Sequence, residues 1–126
     1  MSRLTRAKQS VTNSNRIVTI AARHRYQLVF QFRGASLERY DQLVAIEELF
    51  TRVLRGSATV DGHDCGCDEF NIFVHTDTPE ESFTHIRPVL TAARLLAEVR
   101  VACREFGSDT FSIVWPEGDK LPFAVA

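Results

Sequence analysis

Between Tyr26 and Trp115 the apolar residues recur alternately at a spacing of two and at spacings of three and four. A spacing of two fits a half-buried strand, and spacings of three and four fit a helix with one apolar stripe, so the switching predicts a chain of mixed strands and helices. Tyr26, Leu28, Phe30 and Phe32 alternate with Gln27, Gln31 and Arg33, a strand that stops at Gly34. Ser36 then stands as an N-cap, and Tyr40, Leu43, Ile46, Phe50 and Val53 make the stripe of a helix closed by Gly56. Glu38, Asp41, Glu47 and Glu48 fall on its other faces.

Ala58 to Gly62 reads as a short strand and Glu69 to Thr76 as a longer one, joined as a hairpin by a polar, glycine-containing segment. Phe70, Ile72 and Val74 take its inward phase; Asn71, Phe73 and His75 take the outward one. Thr78, Pro79 and Glu81 predict a capping box at the start of a second helix. Its stripe is Phe83, Ile86, Leu90, Ala93 and Ala97, with a kink expected at Pro88. Val99, Val101 and Cys103 return to period two, Gly107-Ser108-Asp109 turns the chain, and Phe111, Ile113 and Trp115 form a last strand ending at Pro116.

The order is β-α-β-β-α-β with an extra C-terminal hairpin strand. It predicts an α+β two-layer sandwich, an antiparallel sheet with its helices on one face. This order resembles the ferredoxin-like sandwich over about residues 25 to 115. The resemblance implies no particular activity, because that architecture hosts enzymes, regulators and RNA binders alike.

With 126 residues the chain can close one core and not two. Residues 25–116 are therefore read as a single α+β domain and residues 117–126 as an irregular C-terminal tail. Before Tyr26 the chain carries Arg3, Arg6, Lys8, Arg16, Arg23 and Arg25 and no acid. Residues 1–24 are accordingly expected to be a disordered basic tail, in which Ile17 to Ile20 is the only candidate edge strand. The net charge of −1 and pI near 6.4 argue against a nucleic-acid partner. Cys67-Asp68-Glu69-Phe70 also puts acids where an RNA-recognition strand carries a basic residue and glycine. No apolar run approaches the roughly 20 residues of a membrane span, and Ile17 to Ala22, interrupted by Thr19, is too short for a signal peptide. The cysteines number three, and Cys65 and Cys67 are too close to frame a disulfide fold, so a cytoplasmic location is expected.

Asp61 to Glu69 packs His63, Cys65, Cys67 and the carboxylates of Asp61, Asp64, Asp68 and Glu69 into one short run. Imidazole and thiolate are the usual zinc ligands, yet Cys65-Gly66-Cys67 lacks the two-residue spacer and the distant second pair of structural zinc sites. The run is read as a hairpin tip with local turn hydrogen bonds from its aspartates, and no cofactor is expected; zinc on His63, Cys65 and Cys67 is the alternative. Redox chemistry is disfavoured, because the surrounding carboxylates raise a thiol pKa. Gly34-Ala35-Ser36 before the first helix resembles an anion-binding helix start, a pattern shared by many capped helices. His75 and His85 fit surface positions.

No nucleophile, base and orienter converge along the chain, which favours a binding or interaction module over an enzyme. By analogy such a module would be regulatory or would neutralise a partner toxin. On the sheet face left open by the helices, Val29, Phe73 and Val114 would form an apolar patch beside His75, rimmed by Gln27, Gln31, Asn71, Ser112 and Arg104. That patch is the expected docking surface for a protein partner or a second copy. The competing expectation is that the N-terminal segment or Pro116 to Ala126 covers it. A small metal-dependent enzyme centred on His63, Cys65 and Cys67 is the alternative function.

Overall fold

A computed structural model describes residues 24–34 and 36–126. The basic segment before His24, with Ile17 to Ile20, lies outside the described residues. The elements run β1 (Tyr26–Arg33), α1 (Leu37–Val53), β2 (Thr59–Gly66), β3 (Glu69–Thr76), α2 (Pro79–Ala92), β4 (Arg100–Glu105) and β5 (Ser112–Trp115). The strands form one antiparallel sheet in the order β2-β3-β1-β4-β5, so the chain is α+β in two layers. Each helix crosses over an intervening strand: α1 links β1 to β2 across β3, and α2 links β3 to β4 across β1.

Both helices cover the face that carries Leu28, Phe30 and Phe32. The Phe30 ring meets Phe50 of α1 edge-on at 4.8 Å and Phe83 of α2 at 6.4 Å. Leu43, Ile46 and Phe50 are buried as their phase requires, but Tyr40 and Val53, expected on the same stripe, are largely exposed. Tyr40 keeps contact with water while its ring meets Phe70 of the sheet edge-on at 5.6 Å. Trp115 joins the core edge, donating from Nε1 to the Leu96 carbonyl at 2.9 Å while the Arg87 guanidinium lies over its ring.

Two boundaries and one cap differ from the expectation, each for a local reason. β2 runs on to Gly66, and the hairpin turns on Cys67 and Asp68, both with positive φ (50° and 64°), the geometry of a two-residue type I′ loop. α2 begins at Pro79 as expected, but Thr78 makes no side-chain cap. Thr76 Oγ1 instead accepts the N–H of Thr78 at 3.0 Å, the bond a capping box assigns to Glu81, and bonds to Ser82 Oγ at 2.7 Å. The helix continues past Pro88 and stops at Ala92, short of the predicted stripe. There Arg94 takes φ +62°, the Leu95 N–H reaches the Leu90 carbonyl at 2.8 Å and the Arg94 N–H that of Thr91 at 3.1 Å. This is a Schellman closure, and it swings Leu95 into the core. Among the described residues no helix is long and apolar enough to cross a membrane.

Candidate functional site

The strand pleat places Gln27, Val29 and Gln31 of β1 opposite the helices, with Glu69, Asn71, Phe73 and His75 of β3 and Arg100, Ala102 and Arg104 of β4 beside them. The pairing registers line these up in rows across the sheet. One row is Asp64–Asn71–Gln31–Arg100, the next Gly62–Phe73–Val29–Ala102–Ile113, the third Thr59–His75–Gln27–Arg104.

The segment after Trp115 has no regular structure and folds back over this face. Arg100 donates from Nε to Asp119 Oδ2 at 2.9 Å, from Nη2 to the Leu121 carbonyl at 2.8 Å and from Nη1 to that of Pro122 at 3.2 Å. Gln31 Nε2 donates to the Ala124 carbonyl at 2.9 Å, and the Ala126 N–H donates to Glu69 Oε1 at 3.2 Å. Phe123 packs on Phe111 at 5.0 Å, and the Arg100 guanidinium lies over its ring. The segment thus crosses from β4 over β1 to β3. The Leu121 N–H bound to the Asp119 carboxylate holds that acid below its ordinary pKa, with Arg100 adding to the effect.

Covering the face changes what its residues are. Val29, read as part of an open patch, is fully buried, and Gln31 and Asn71 are 2% and 1% exposed. Gln31 Oε1 and Asn71 Oδ1 are buried with no hydrogen-bond partner among the described residues. Phe73 stays half-buried and lines a cavity of about 450 Å³ with Gln27, Arg104, Phe111 and Phe123. Val114 does not join them. The β4–β5 register shifts between Val101 and Ala102, so Trp115 pairs with Val101 and Ile113 with Ala102. The extra residue turns Val114 onto the core.

His75 sits at the margin of the face, 3.4 Å from Asp61 and edge-on to Phe106 at 4.9 Å. Burial pushes its pKa down; Asp61 opposes this, and His24 and Arg104 add to it. A depressed native value means that the unfolded chain binds the proton first, so this contribution to stability is present above the ordinary value of about 6.5 and is lost as pH falls through the lowered one. Thermal unfolding between pH 8 and 5.5 should therefore show a falling Tm that is shallower in His75→Gln. An identical slope in both proteins would remove His75 from the account.

The Asp61–Glu69 run does not converge on a metal. His63 faces α1, with Nδ1 2.7 Å from Glu47 Oε1, its ring stacked on Phe70 at 4.7 Å and Nε2 3.5 Å from the Tyr40 hydroxyl. Cys65 lines a hollow of about 310 Å³ at the start of α1 with Ser36, Leu37, Arg39 and Tyr40, while Cys67 stands on the turn. Among the described residues no three His, Cys, Asp or Glu side chains are placed to hold an ion. Two of its aspartates reach across strands instead of bonding locally: Asp61 to His75, and Asp64 Oδ1 to Asn71 Nδ2 at 3.0 Å. Cys103 is half-buried on the helix side, where burial and then the Glu80 carboxylate push its thiol up.

The His63–Glu47 pair and the grip of Arg100, Gln31 and Glu69 on the last residues carry no local sequence signature, because both join positions far apart in the chain. Comparison with protein-family models, with curated proteins and with solved structures finds no match to this chain.

Proposed function

We propose that the chain is a cytoplasmic protein-interaction module, built on a ferredoxin-like frame, whose docking surface is the sheet face beneath residues 116–126. The interleaved strand order β2-β3-β1-β4, with β5 added at the edge, supports that frame. The observation that carries the function is the buried polar pair Asn71 and Gln31, beside the half-buried Arg100, with two acceptors unpaired among the described residues, under a cover one irregular segment thick. A face serving stability alone would be apolar if covered and solvated if polar, since a buried acceptor without a donor costs about 1–3 kcal/mol. Buried polar groups that the protein itself pairs incompletely suit a surface that completes its hydrogen bonds with another chain.

Phe73→Asp tests the reading. Phe73 lines the cavity and keeps partial contact with water, so the variant should retain the circular dichroism of the parent. Its self-association in sedimentation, or its recovery of partners from native extract, should fall at least tenfold, because a carboxylate must then be desolvated on docking. Unchanged association in a folded variant would sink the assignment of this face.

The His63–Glu47 pair favours a second reading, in which an imidazole oriented by a carboxylate acts as a base beside the 310 Å³ hollow. That site lies on the helix side of the sheet, so the two readings separate by location.

A further inference from the structure

We propose that residues 119–126 are the built-in occupant of a peptide-docking groove, which an extended peptide of another protein displaces; the partner peptide carries an acid and, four residues on, an aromatic side chain. The inference rests on the interaction-module reading above and names the partner's chemistry.

Most of the grip is on backbone. Arg100 takes the carbonyls of Leu121 and Pro122, Gln31 that of Ala124, and Glu69 the N–H of Ala126. Backbone groups are common to any extended peptide, so these side chains read a conformation more than a sequence. Selectivity comes from two places: the Asp119 carboxylate on Arg100, and Phe123 in contact with Arg100 and Phe111.

The same contacts make the segment replaceable. It forms no ladder with the sheet, and all five strands stay paired without it. Its anchors are few: Phe123 and Val125 are half-buried, whereas Leu121 is 68% exposed. A segment with so little buried apolar surface belongs to the part of a fold that opens most easily.

What the segment leaves unfilled identifies the occupant. The carbonyl oxygens of the Gln31 and Asn71 side chains lack donors, and the cavity of about 450 Å³ beside Phe73 and Phe123 is open. A second copy would bring the identical sequence, leave the same acceptors and cavity unfilled, and compete against a segment tethered at high effective concentration. A different peptide that supplies N–H donors over the Gln31–Asn71 row and a larger side chain for the cavity gains what the tethered segment lacks.

The test uses the full chain with Asp119→Ala and Phe123→Ala, which loosen the segment and leave the groove intact, and a fluorescein-labelled synthetic peptide of residues 117–126 as probe. Hydrogen exchange over residues 120–126 should accelerate in the variant. The probe should bind it at least tenfold tighter than the parent chain by fluorescence anisotropy, and adding Arg100→Ala, or separately Gln31→Leu, should abolish the gain. Asp119→Ala alone should move both readouts the same way, which keeps the test open if the double variant folds poorly by circular dichroism.

Exchange that does not accelerate would mean that these anchors do not hold the segment. Equal binding to parent and variant, no binding to the opened variant, or a gain indifferent to Arg100 and Gln31 would each overturn the groove. A failed groove with Phe73→Asp still weakening association removes only this inference. A working groove with association unchanged in Phe73→Asp removes the wider reading of the face and keeps the peptide site.

Discussion

Phe50→Ala should lower the unfolding free energy by about 3–5 kcal/mol, the range for truncating a fully buried aromatic residue. Phe50 is completely buried near the end of α1 and meets Phe30 edge-on, so it ties the helix to the central strand of the sheet. Truncation removes the transfer free energy of the ring and leaves a cavity between two rigid layers that cannot close around it. Urea denaturation with an unchanged m-value is the measurement. A loss below about 1 kcal/mol would mean that α1 is rotated about its axis relative to the packing described here.

Val29→Asp should be at least as damaging, costing more than about 4 kcal/mol or preventing folding, as an uncompensated charge in a dry interior does. Its cross-strand neighbours are Phe73 and Ala102, which offer the carboxylate no donor, and its side chain has no access to water. The contrast with Phe73→Asp is the informative part. These two residues face each other on adjacent strands, and a charge should be tolerated at one and ruinous at the other only if Val29 is shut off from water while Phe73, at the cavity, keeps partial contact with it. Soluble, folded Val29→Asp with a loss under about 1 kcal/mol would return the face to the open state expected from its pattern.

Much of the fold is legible in the sequence because it is written in local periodicity. The alternation at Tyr26 to Arg33 and Glu69 to Thr76, the Ser36 cap and the Pro79 start each depend on neighbouring residues, and each element lies where they put it. The differences fall where two signals compete for the same backbone groups. Thr78 has the residue type and spacing of a cap, yet Thr76, held by Ser82, takes its N–H. The stripe beyond Ala92 keeps helical spacing, but burying Leu95 in a Schellman closure ends the helix first.

For the candidate site the sequence determined the materials and not their arrangement. Period two alone assigns Val29, Phe73 and His75 to one face, since side chains of a strand must alternate. It also assigns Val114 there, and only the register shift between β4 and β5 takes it away. Whether that face meets water is a long-range question: Arg100 must find Asp119, Gln31 must find Ala124 and Glu69 must find Ala126, contacts between positions up to 93 residues apart. Such contacts depend on the whole sheet being assembled before the last residues can settle on it, so no window of sequence contains them. Local chemistry decided what each strand and helix is, and tertiary packing alone decided that the open face is covered, by which segment, and which polar atoms are left waiting beneath it.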